Sequence, residues 1–88
     1  MLHVVIMSQK NQELNIYVGR RIKALRNSFE LSENKLSQLI DTTVKKITNY
    51  ESGQESIPVH ALFLISRVFN VSVTELLPDF AIYSQKAP

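Results

Sequence analysis

The chain has no cysteine, so no disulfide and no thiolate-bound metal can substitute for a hydrophobic core. A chain of 88 residues, 44% of them hydrophobic, therefore has to fold around one modest core as a single small domain, and its chemistry reads as cytoplasmic. Histidine is almost as scarce. His3 and His60 are the two present, and neither has a second ligand at metal-binding spacing, so no metal site is expected. There is no glycine-rich phosphate loop, no thiol nucleophile and no carboxylate pair in a credible pocket, which argues against an enzyme and against a cofactor. Nor is there a run of the ~20 apolar residues that a membrane span requires. The opening "MLHVVIM" holds a short apolar stretch without a basic segment before it or a small-residue cleavage site after it, so it does not read as a signal peptide. Residues 1–11 are expected to be a flexible extension, mobile or strand-like at its start, and residues 79–88 a tail that is disordered or used in assembly.

What the chain does have is a positive middle. The formal net charge is only +2, yet residues 20–51 carry seven basic side chains (Arg20, Arg21, Lys23, Arg26, Lys35, Lys45, Lys46) against four acidic ones (Glu30, Glu33, Asp41, Glu51). This balance permits a polyanionic partner without demanding one.

The same region is patterned for helices. Leu14, Val18, Ile22 and Leu25 recur at helical spacing and predict a first helix over 12–28. Ser32 suits an N-cap for a second helix over 33–40, with Leu36, Leu39 and Ile40 turned inward and the small Ser37 where another helix can cross closely. After the short link Asp41–Thr42, Thr43 caps a third helix over 44–52, and Gly53 supplies its left-handed ending. Pro58 fits the first turn of a fourth helix over 58–69, and Ser72 caps a fifth over 73–77 that Pro78 stops. The expected fold is all-α, a compact five-helix bundle in which residues 12–78 form the domain. The second and third helices are too short to persist alone, and their tight link is that of a helix-turn-helix, each helix bracing the other.

On a wheel at about 100° per residue, Ile47 and Tyr50 of the third helix share one side, while Lys45, Thr48 and Asn49 lie opposite, flanked by Val44 and Lys46. The outward face is short and rich in donors. Lysine can donate to guanine O6 and N7, asparagine can bond adenine N6 and N7 with both ends of its amide, and valine can touch a thymine methyl. The same residues would also make an ordinary solvated face, and charge alone favours that simpler reading.

The segments "VGRRIKALR", "LSENKLS", "ITNYESG", "IP" and "FNVSVTELL" occur in that order within residues 17–78. In order and spacing they resemble the lambda-repressor/Cro-type (Xre-type) helix-turn-helix family. The resemblance implies that the third helix enters the major groove of double-stranded DNA and that two protomers bind twofold-related half-sites. By position, Val44, Lys45 and Asn49 become the base readers, with Lys46 and Thr48 beside them. Thr43 caps the helix and reaches phosphate. Ser32 and the backbone opening the second helix meet phosphate as well. Ser52, Gly53 and Gln54 correspond to the loop on the other side of the groove, and Arg20 and Lys23 add attraction. Arg26 and Glu51 match a family ion pair that joins the first helix to the third.

Two departures from the family stand out. Glu33 occupies a position where relatives often carry a phosphate-contacting glutamine, so this carboxylate opposes a phosphate. Glu30 and Asp41 stand where glycine is frequent, which predicts some distortion before the second helix. The resemblance implies a homodimeric, sequence-specific transcriptional regulator acting as a repressor. A narrower version is an antitoxin that controls its own promoter and binds a toxin, with residues 79–88 as the toxin- or dimer-contacting segment. The rival is a helical interaction module that has kept the fold and lost DNA binding. Phe63, Phe69 and Leu62 read as core or dimer-contact residues.

Overall fold

The computed structural model describes the backbone of residues 2–78 and the side chains from residue 12 onward. The expected tail 79–88, the side chains of 1–11 and with them His3 lie outside the described residues. Among the described residues there are four α-helices, α1 (Leu2–Ser28), α2 (Glu33–Leu39), α3 (Val44–Ser52) and α4 (Val59–Phe69), followed by a 3-10 turn at Val73–Leu76. Among the described residues there is no strand.

The fifth helix is thus corrected to a single 3-10 turn. Between the cap at Ser72 and Pro78 the chain has room for one turn only, and the Ser72 N–H closes it by donating to Glu75 Oε2 at 3.0 Å. The first helix begins at Leu2 rather than at residue 12. No proline or glycine interrupts residues 2–18, so nothing in the chain ends the helix there. Pro58 is the N-cap of α4 rather than its first helical residue.

The four helices share one way of ending. A residue with positive φ follows each: Glu30 (55°), Asp41 (56°), Gly53 (80°) and Asn70 (55°). Past each, a backbone N–H reaches back five residues: Leu31 to the Arg26 carbonyl, Thr42 to Ser37, Gln54 to Asn49 and Val71 to Ser66. This is the Schellman ending, which satisfies carbonyls that the last turn would otherwise leave open. The bends before α2 and α3 are therefore hydrogen-bonded and regular. The missing glycines are felt as backbone strain at Glu30 and Asp41, not as distortion of the turn.

The core consists of Val18, Ile22, Leu36, Ile40, Ile47, Tyr50, Ile65, Phe69 and Leu76. Phe29 closes its edge, with its ring 5.0 Å from that of Phe69 in an edge-to-face arrangement. On α2 the buried arc runs through Leu36, Ser37 and Ile40, which leaves Leu39 beyond its edge and 47% exposed, contrary to its expected inward position. On α4, Phe69 is buried, Leu62 is half-buried and Phe63 stands exposed.

Gly19 sets how closely α1 lies on α3. A Cβ at this position would sit 2.3 Å from the Tyr50 carbonyl oxygen and 2.8 Å from that of Glu51. Only a residue without a side chain lets the two backbones meet here. No periodicity in the sequence marks this contact, and it fixes the platform on which α3 is presented.

Candidate nucleic-acid interface

α3 has nine residues and α2 has seven, so neither holds its shape by propensity alone. Local caps start them. Ser32 Oγ accepts from the Lys35 N–H at 2.9 Å, and Thr43 Oγ1 accepts from the Lys46 N–H at 3.1 Å. Burial of Ile47 and Tyr50, at 1% and 4% exposure, then fixes how α3 is rotated.

A buried ion pair ties α3 to α1. Arg26 Nε donates to Glu51 Oε2 at 2.6 Å and Arg26 NH2 donates to Glu51 Oε1 at 3.0 Å, a two-pronged arrangement. Arg26 NH1 also donates to the Leu31 carbonyl at 2.8 Å, so the same side chain fastens the turn before α2. The hydrogen bond to Glu51 holds the guanidinium pKa above its ordinary value, against the opposing effect of burial.

With α3 locked in this way, Thr43, Val44, Lys45, Lys46 and Thr48 are exposed on one side of the bundle. Ser32 lies exposed at the start of α2, and Ser52 and Gln54 are exposed past the end of α3. The Asn49 carbonyl receives the Ser52 hydroxyl at 3.1 Å and the Gln54 N–H at 3.0 Å. Glu33 is turned along the same face. Its carboxylate lies 4.0 Å from Arg26 NH2 and accepts from Thr48 Oγ1 at 3.4 Å, so part of the charge that would oppose a phosphate is offset within the protein.

Asn49 is less open than its neighbours. It is half-buried, and its Nδ2 donates to Glu55 Oε1 at 3.1 Å. The other oxygen of Glu55 accepts from Lys46 Nζ. Glu55 is thus a member of this face that sequence reasoning missed. It lies outside the helix, where no helical spacing connects it to Lys46 or Asn49. The left-handed turn at Gly53 sends the chain back alongside α3 and brings the carboxylate there. The Lys46 and Asn49 hydrogen bonds hold the Glu55 carboxyl below its ordinary pKa, and the same contact raises that of Lys46.

Among the described residues no group of histidine, aspartate and glutamate side chains could hold a metal ion. The face offers exposed N–H and O–H donors, ammonium groups and one valine methyl surface, raised on a rigid short helix. Such a surface can bind the edge of a base pair and the phosphates that flank it.

A helix-turn-helix family model matches residues 22–76. An HTH-type transcriptional regulator of Sinorhizobium medicae (strain WSM419) is 31% identical over 71 residues, covering 81% of this chain and 51% of its own length. Antitoxin PezA of Streptococcus pneumoniae serotype 4 (strain ATCC BAA-334 / TIGR4) is 25% identical over 62 residues, covering 70% of this chain and 39% of its own length. The chain thus spans about half the length, or less, of these curated relatives. Among solved structures, the BldD DNA-binding domain of S. venezulae superimposes with a TM-score of 0.65 at 25% identity, covering 75% of this chain and 99% of that one. Fold and exposed face together define a protein of the helix-turn-helix regulator class. The chain belongs to the helix-turn-helix family, in its lambda-repressor/Cro-type (Xre-type) branch.

Proposed function

We propose that this protein is a sequence-specific binder of double-stranded DNA that regulates transcription as a repressor and inserts α3 into the major groove. The observation that carries this reading is the rotation of α3: Ile47, Tyr50 and Glu51 are buried, while Lys45 and Thr48 face solvent away from them and Val44 stands exposed at the flank. Val44 and Lys45 read bases, together with Asn49. Thr43, Ser32, Ser52 and Gln54 meet phosphates, and Lys46 and Thr48 stand beside the readers. The protein is not an enzyme in this reading, needs no cofactor, and acts in the cytoplasm. Among the described residues no helix is long and apolar enough to cross a membrane.

One such module offers little groove contact, so tight binding calls for a homodimer on two half-sites about one helical turn apart. The likeness to antitoxin PezA favours a second reading, in which the protein also binds a toxin and controls its own promoter.

The test is retardation of duplex DNA at rising salt. A DNA binder retards duplexes at low salt and loses affinity steeply as counterion release is suppressed. Lys45→Ala should cost site preference, whereas Arg20→Ala should weaken all duplexes alike. No retardation even at low salt would leave the interaction module as the better account.

A further inference from the structure

Glu55 is an acidic residue within the face that is meant to meet a polyanion, and it is bound to two of that face's members. A carboxylate so placed lowers affinity for every duplex. Its geometry gives it a second effect. An ionised carboxylate only accepts hydrogen bonds, so the Asn49 group facing Glu55 Oε1 has to be the NH2 and not the carbonyl. An isolated asparagine amide can present either end, and here the choice is made by Glu55.

Resting on the DNA-binding reading above, we propose that Glu55 is a positioning residue: by accepting from Asn49 Nδ2 and Lys46 Nζ it fixes the Asn49 amide so that Oδ1 and the second Nδ2 hydrogen meet an adenine edge as an ordered acceptor–donor pair.

Three features of the molecule build this arrangement. No described residue donates to Asn49 Oδ1, and no described buried side-chain oxygen or nitrogen is left without a partner, so Oδ1 is open to a ligand. Adenine presents its N6 amino group as donor and N7 as acceptor in the major groove, which matches one amide oxygen and one amide hydrogen. The remaining hydrogen of Nδ2 is the one that Glu55 takes, so both bonds are compatible at once. Lys46 holds the carboxylate from the other side, and the Ser52 and Gln54 bonds to the Asn49 carbonyl steady the backbone beneath it. Glu55 thereby lowers general affinity and sharpens the choice of base at one position.

The test uses the full chain and the duplex that it selects from random DNA, with each position of that duplex changed in turn to the other base pairs. Wild type, Glu55→Gln, Glu55→Ala, Asn49→Ala and the Glu55→Ala/Asn49→Ala double variant are compared, with melting temperatures recorded to show that each is folded. Both Glu55 variants should bind unrelated duplexes more tightly, since each removes a negative charge. Glu55→Gln keeps an oxygen for Asn49 Nδ2 and should keep most of the base preference. Glu55→Ala should lose about tenfold preference for adenine at one position, and lose nothing further when Asn49 is already alanine. The proposal is overturned if Glu55→Ala keeps the wild-type preference at every position, or if its loss persists unchanged in the Asn49→Ala background. A wild type that binds duplexes with no base preference overturns both this proposal and the reading on which it rests.

Discussion

Gly19 of α1 lies against Tyr50 of α3 so closely that a Cβ at position 19 would stand 2.3 Å from the Tyr50 carbonyl oxygen. In an ordinary solvated helix, replacing glycine by alanine stabilises by about 1 kcal/mol. Here the sign reverses, because the obstructing atom is backbone and cannot swing aside. Gly19→Ala should cost about 3 kcal/mol or more. Thermal denaturation checks this: the expected result is a fall of more than ~10 °C in Tm, since each kcal/mol moves a domain of this size by roughly 4–8 °C. The displaced α3 should also lose binding to duplexes of every sequence.

Arg26 and Glu51 bear a different relation, one of mutual need. Both residues are buried, with 9% and 8% exposure. Removing either leaves the other charged and unpaired, so Arg26→Met and Glu51→Leu should each destabilise by about 3–5 kcal/mol. The double variant should be less damaged than the two losses added together, because two apolar side chains of similar volume replace the pair. Urea denaturation of the four proteins gives the coupling directly; strictly additive losses would mean that the pair does not act as a unit.

Glu30 holds a left-handed backbone, φ 55°, with an ordinary side chain. That conformation costs an L-residue roughly 1–2 kcal/mol, and glycine avoids the cost at the expense of greater freedom in the unfolded chain. Glu30→Gly should therefore stabilise by about 0.5–1 kcal/mol. The denaturation midpoint should rise, and DNA binding at fixed salt should not weaken, since the substitution also removes a negative charge.

The Glu55 contacts have a defined pH window. The hydrogen bonds from Lys46 and Asn49 lower the folded-state pKa of Glu55 from its ordinary value of 4.5. A group lowered in the folded state contributes its stability above the unfolded pKa and loses it as pH falls through the folded one. The Asn49 side-chain amide resonances should accordingly stay constant from pH 7 to about pH 5 and move only below the ordinary carboxylate value. In Glu55→Gln that acid-side transition should be missing.

The parts legible from the sequence are those governed by near neighbours. Ile47 and Tyr50 sit three apart and define one side of a helix, and Ser32, Thr43 and Gly53 are capping residues read from their places in the chain. The ion pair is another matter. Its members are 25 residues apart, and only resemblance to the family suggested joining them. Leu39 lies outside the buried arc because the apolar spacing of a seven-residue helix does not fix which arc is buried, and here the arc extends from Leu36 toward Ser37 rather than toward Leu39. The fifth helix is a 3-10 turn because Ser72 and Pro78 leave room for one turn only, and so short a spacing does not tell a 3-10 turn from an α-helical one. Glu55 and Gly19 were invisible for one common reason: each acts across a gap between elements, where no periodicity connects the partners.

The most direct measurement is an NMR titration of the isotope-labelled protein with the duplex it selects from random DNA. The account predicts that the largest backbone amide shifts fall on residues 43–49, with a second set at Ser32, Ser52 and Gln54 and little movement at the exposed Val59 and Phe63 of α4. Shifts centred on Val59 and Phe63, with residues 43–49 unmoved, would contradict it.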